Sequence, residues 1–248
     1  MDVESLTATD SAVEGLLAHA VVNDVEAIAR SQSRDPACID MRQSPADGAW
    51  VYDLEVTRYP QDDGNFRSLP TNLGYVPALS AQKRLTFREY VSRIPPIVER
   101  DSREGQAPHP EAAMFVPQHA AAEYFQHTMQ DLAPEDMGGG PVLLIPLDRR
   151  CIKSPTFRLP DENKSWLFAL LRAARSDEDI ERLSIANMEF YERGVALGAN
   201  RYPCDALQRP AEDTEWATHF GEGWPRILRL KKRYDPDGLL APQLGIRP

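Results

Sequence analysis

A chain of 248 residues with a formal net charge of -10, from 28 Lys and Arg against 38 Asp and Glu, does not suit nucleic acid or an anionic membrane surface as a partner. At 42% hydrophobic and 27% charged residues it has the make-up of a soluble globular protein, long enough for one large domain or two small ones. Cys38, Cys151 and Cys204 are too few and too far apart for a disulfide framework or a zinc ribbon, and no apolar run approaches the roughly 20 residues that span a bilayer. The acidic start, Met-Asp-Val-Glu-Ser, has neither a basic nor an apolar leader segment, so a cytoplasmic, reducing setting is expected.

The elements follow in chain order. Residues 13–22 (VEGLLAHAVV) form a short apolar run between polar flanks, which predicts a buried strand. Residues 49–59 set Val51, Asp53 and Glu55 against Tyr52, Leu54 and Val56, which is strand periodicity. Residues 86–94 carry Phe87, Tyr90, Val91 and Ile94 at helical spacing, and Pro95-Pro96 stops the helix. Residues 112–116 predict a strand, and Pro117 opens a helix running to Met129. Pro141 and Pro146 bracket a core strand, and residues 166–173 (WLFALLRA) predict another. Ser176-Asp177-Glu178-Asp179 has capping-box spacing with acids at the positive end of the helix dipole, and Gly198 closes that helix. Two shorter helices are expected over 211–220 and 224–233. Strands with intervening helices and no regular βαβ alternation predict an α+β fold, a mostly antiparallel sheet covered on one face by helices.

Several motifs carry no chemistry. His109-Pro110-Glu111 matches half of a zinc deaminase signature, but Pro203-Cys204 lacks the second cysteine. Asp235-Pro236-Asp237-Gly238 has too few ligands for calcium and reads as a tight turn. The Gly138-Gly139-Gly140 run precedes a strand and does not link strand to helix, so it reads as a connection and not a phosphate loop. The basic set Arg226, Arg229, Lys231, Lys232 and Arg233 complements a helix C-terminus. No metal site is expected. Glu14 is different: an acid inside an apolar strand is either solvated at a strand edge or a pocket acid with a shifted pKa.

Collinear blocks across nearly the whole chain carry a family resemblance. They are Asp10 to Gly15, Tyr52-Asp53-Leu54-Glu55-Val56, Leu73-Gly74-Tyr75-Val76-Pro77, Tyr90-Val91-Ser92-Arg93, His109-Pro110 with Phe115-Val116-Pro117, and Gly140-Pro141-Val142-Leu143 with Pro146-Leu147-Asp148-Arg149. The last is the C-terminal Tyr234-Asp235-Pro236-Asp237-Gly238 turn with its apolar tail. Together they resemble the cytokinin dehydrogenases among the vanillyl-alcohol-oxidase-type FAD oxidoreductases. The resemblance implies that 1–205 is a substrate-binding cap and that 206–248 completes a flavin domain. The N-terminal flavin domain is expected to lie outside this chain, on a separate flavin-binding chain or lost by truncation.

The implied reaction is oxidation of a secondary amine on an adenine-type cytokinin to an imine that water cleaves, with FAD as cofactor and a small molecule as substrate. Glu14 is the implied catalytic acid. His109, Pro110, Val116 and Pro146 are the implied substrate contacts, and Ala241, Gln243 and Leu244 the implied flavin contacts. Two departures stand out: Glu111 replaces the family's Trp after His-Pro, and Ala241 and Leu244 replace its Ser and Gln in the tail. The alternatives are a small-molecule-binding module without redox chemistry and an inactive fragment of such an enzyme.

Overall fold

The structure, a computed structural model, describes residues 16–22, 51–56, 85–91, 108–137, 140–154, 157–203, 213–240 and 245–246. The strands are β1 (Leu16–Val22), β2 (Val51–Val56), β3 (Ala112–Pro117), β4 (Val142–Asp148), β5 (Lys164–Leu170) and β6 (Asn200–Arg201). The helices are α1 (Phe87–Val91), α2 (Gln118–Asp131), α3 (Asp177–Ala196), α4 (Asp213–Phe220) and α5 (Trp224–Tyr234). The strands make one sheet in the order β2-β1-β4-β5-β3-β6, and every pairing is antiparallel. The expected α+β class is what forms.

Register explains the core. Three rows cross the middle strands: Ala112–Leu170–Val142, Met114–Phe168–Leu144 and Val116–Trp166–Pro146. Successive residues of a strand point to opposite faces, so these rows share one face. Tyr124 and Phe125 of α2 and Phe190 of α3 pack on it in one apolar cluster. The Phe168 ring lies 5.3 Å from Tyr124, 5.4 Å from Phe125 and 5.2 Å from Phe190. Burying each such ring stabilises by about 1.5–3 kcal/mol, which offsets the entropy of ordering the sheet. The two polar tips are satisfied: Tyr124 donates to the Phe190 carbonyl at 2.6 Å, and Trp166 Nε1 donates to Gln118 Oε1 at 2.7 Å.

Helix ends follow local chemistry. Ser176 Oγ accepts from the Asp179 N–H at 3.1 Å, and Asp179 reaches back to the Arg175 N–H at 3.1 Å. At the other end of α3 the Ala199 N–H bonds to the Gly194 carbonyl and the Gly198 N–H to the Val195 carbonyl, a Schellman closure with Gly198 at φ +83. Pro117 gives α2 no side-chain cap, and Glu162 takes over by accepting from the Gln118 N–H at 2.8 Å. Beyond β6, Trp216, Phe220 and Trp224 stack in sequence and form a second small cluster with Ile227 and Ile246. Arg201 lies over Trp216 at 5.2 Å and joins this cluster to the sheet edge.

Several boundaries shift by a residue or more from expectation. The strand expected over 166–173 runs Lys164–Leu170, because it follows β4 in register to Asp148 and ends where Val142 begins. At the sheet edge Arg201 pairs with Met114 in the short strand β6. No helix among the described residues is long and apolar enough to cross a membrane.

Candidate functional site

Helices cover one face of the sheet, so a ligand surface is sought on the other. Alternation turns Leu143, Ile145 and Leu147 of β4 and Leu167 of β5 away from α2 and α3. All four are half-buried, whereas their neighbours Val142, Trp166 and Phe168 are nearly inaccessible. They form an apolar strip over the central strands. Toward β3 this face is closed: the Phe115 ring packs on Phe157 at 5.8 Å and on Tyr202 at 5.4 Å.

Two acids lie at opposite ends of the central strands. Glu111 immediately precedes β3, at the end where Val142 and Leu170 pair, and is half-buried. Burial pushes its carboxyl above the ordinary range, against the opposing pull of His109. Asp148 ends β4 at the far side. Its carboxylate accepts from the Arg150 N–H at 2.9 Å and from Nη2 at 2.6 Å, which holds its pKa down to about 2.

The residues singled out by sequence distribute unevenly. His109 is exposed, and its carbonyl accepts from the Glu111 N–H at 2.8 Å in a tight turn. Pro110 is buried, and its carbonyl accepts from Asn187 Nδ2 at 2.9 Å. Val116 is 1% exposed within the core cluster and stands on the helix-covered face with Pro146, each paired to Trp166 on opposite sides. Val116 and Pro146 are therefore two strand spacings apart, about 9.5 Å, while His109 lies roughly 20 Å up the strand from them. The fold brings Val116 and Pro146 together and sets His109 and Pro110 apart. Glu14, Ala241, Gln243 and Leu244 lie outside the described residues.

One residue passed over by the sequence reading is structurally prominent. Arg172, 3% exposed, donates to the Leu183 carbonyl at 3.2 Å and to Asn187 Oδ1 at 2.9 Å, with Nε unpartnered. Burial drags its pKa down to about 10, partly countered by Asp136. A charge inside the apolar run 166–173 is the same signal that singled out Glu14. Through Asn187 it holds the Pro110 carbonyl and so the entrance to β3.

Comparison with known proteins supplies the context. Residues 3–246 match the family described as "Cytokinin dehydrogenase 1, FAD and cytokinin binding". The chain is 28% identical over 214 residues to cytokinin dehydrogenase 5 of Oryza sativa subsp. japonica, covering 79% of this chain and 39% of that protein. It is 26% identical over 224 residues to cytokinin dehydrogenase 5 of Arabidopsis thaliana, covering 84% and 40%. An uncharacterized oxidoreductase, ORF5 in the fasciation locus of Rhodococcoides fascians, is 26% identical over 205 residues, covering 79% and 45%. The chain thus spans less than half the length of these relatives.

Proposed function

This chain belongs to the cytokinin dehydrogenase family, in its FAD and cytokinin binding part, and from that premise we propose that it forms the substrate cap of an FAD-dependent oxidoreductase. The reaction proposed is oxidation of the secondary amine of an N6-substituted adenine to an imine, which water then cleaves. The observation that supports it best is the strip of Leu143, Ile145, Leu147 and Leu167 on the sheet face opposite α2 and α3. A flat aliphatic strip fits one side of a planar ring system and keeps water from it.

FAD, when bound, supplies the hydride acceptor. The work of this chain's residues is to position the amine and take its proton. In the proposed arrangement Glu14 accepts the N–H proton as the adjacent C–H bond breaks, and His109 and Pro110 border the adenine. The tail from Ala241 through Gln243 and Leu244 lies along the ring. Glu111 stands where the family's His-Pro-Trp motif has its Trp, so a stacking wall is exchanged for a carboxyl of raised pKa. The main cradle of the cofactor comes from polypeptide outside these 248 residues, and the setting proposed is cytoplasmic.

The test is reconstitution. Purified chain alone is expected not to retain FAD. Mixed with the flavin-binding half of a relative, it is expected to reduce an electron-accepting dye with an N6-alkenyl adenine, and Glu14→Gln is expected to abolish most of that rate. A stoichiometric yellow complex of the chain by itself would overturn the cap reading. Adenine binding by calorimetry without dye reduction in the reconstituted mixture would identify a binding module with no redox role.

A further inference from the structure

A second concavity lies away from the apolar strip, between the loop joining β4 to β5 and the end of α4. It is an open cleft of about 700 Å³. Arg149, Arg158, Asp161, Asn200, Thr218 and Phe220 line it. Phe157 and Leu159 add apolar surface.

The charge balance of this wall is unlike that of the molecule. The chain carries -10 overall, yet two guanidinium groups meet here with a single carboxylate. That carboxylate, Asp161, is paired with Arg149, and Arg149 first and then Arg158 hold its pKa below the ordinary range. Among the described residues no carboxylate bonds the Arg158 guanidinium. Arg201 is buried over the Trp216 ring at 5.2 Å. The neighbouring His219 registers this field: burial first, then Arg158 and Arg201, drive its imidazole down to about 4.

Arg158 is also held in place. Its carbonyl accepts from Asn200 Nδ2 at 2.9 Å. Its guanidinium lies against Gly221, where Nη1 is 3.0 Å from the position a Cβ would take, and Gly221 sits at φ +52. Glycine therefore serves twice, for the backbone turn and for the space the guanidinium fills. A guanidinium that no carboxylate among the described residues hydrogen-bonds, beside a cleft that the exposed Phe157 borders, is a fork for a two-oxygen anion.

We propose that this cleft binds a small organic anion, a carboxylate or phosphate ester attached to a planar apolar group. Arg158 receives the anion, Arg149 flanks it, and Phe157 packs on the apolar part. The cleft includes Thr218 and Phe220 of the segment assigned to the flavin domain but none of Glu14, His109, Gln243 or the apolar strip, so its failure leaves the cap reading standing.

Calorimetric titration of the intact chain with phenyl phosphate, benzoate and neutral benzyl alcohol tests it. At least one of the anions is expected to bind saturably, with benzyl alcohol silent and added salt weakening the interaction. Phenyl phosphate alone would assign the cleft to phosphate esters and benzoate alone to carboxylates. Arg158→Gln is expected to weaken binding about tenfold or more, the size of a lost charge-assisted hydrogen bond. Gly221→Ala, which keeps the charge but displaces the guanidinium, is expected to weaken it less. Thermal melts show whether each variant folds, and if Arg158→Gln does not, the Gly221→Ala and salt series decide. Silence of both anions, equal binding of benzyl alcohol, or unchanged affinity in folded Arg158→Gln or, in its place, Gly221→Ala would overturn the proposal.

Discussion

Arg172 donates to Asn187 Oδ1 at 2.9 Å, and Asn187 Nδ2 donates onward to the Pro110 carbonyl at 2.9 Å. This short relay fastens the end of β5, the middle of α3 and the entrance to β3 to one another. Arg172 is buried yet bonded only to neutral acceptors, so it depends on them heavily. Asn187→Leu should destabilise by about 3 kcal/mol, because it leaves a buried cation with one carbonyl. Adding Arg172→Met should recover part of that loss, since an apolar side chain then fills the space. Urea unfolding of the two single variants and the double variant measures the coupling. A double variant no more stable than Asn187→Leu alone would show that the charge is not what Asn187 serves.

His219 makes stability depend on acid. Its ring packs on Trp216 at 5.6 Å with Nε2 buried and unpartnered, and burial with Arg158 and Arg201 lowers its pKa from 6.5 to about 4. The unfolded chain binds a proton at pH 5 that the folded chain refuses. Stability is therefore full above pH 6.5 and falls as pH drops toward 4, by up to about 3 kcal/mol. His219→Phe should flatten that part of the profile. Urea midpoints of both proteins at pH 7.5 and 5 test this, and parallel losses in the two would contradict it.

What could be read from sequence, and what could not, divides by range. The α3 helix was legible because its signals are local: Ser176 before an acidic first turn, Gly198 after the last. The stacked Trp216, Phe220 and Trp224 likewise sit at helical spacing. Non-local devices left no trace. Glu162 caps α2 from 44 residues away, and the sheet order places β1 beside β4. The site shows the same limit. Motif resemblance picks out Val116 and Pro146 as strings, but only pairing with Trp166 fixes the phase of alternation and turns them toward the helices. The opposite strip, Leu143 to Leu147, needed that phase to be seen at all.

The C-terminal turn is held by a latch whose loss is measurable. Asp235 closes α5, is 5% exposed, and accepts from the Leu239 N–H at 2.7 Å and the Leu240 N–H at 3.0 Å. Lys231 Nζ lies 2.5 Å from the same carboxylate and also donates to the Leu240 carbonyl at 2.6 Å. Lys231 and the two amide bonds hold the Asp235 carboxyl below the ordinary range, so the latch stays closed above that range and opens as the carboxylate is protonated. Leu239 and Leu240 are themselves exposed, so their packing does not fix the turn and the polar contacts must. Asp235→Asn removes the charge and one acceptor while leaving the helix. Amide exchange at Leu239 and Leu240 should accelerate about tenfold or more at neutral pH, with protection in β5 unchanged. In the reconstituted enzyme the same variant should weaken flavin retention as Gln243→Ala does, because both disturb the tail proposed to lie along the ring. Faster exchange with undiminished flavin retention would place the tail elsewhere, and unchanged exchange would show that the latch is not what orders it.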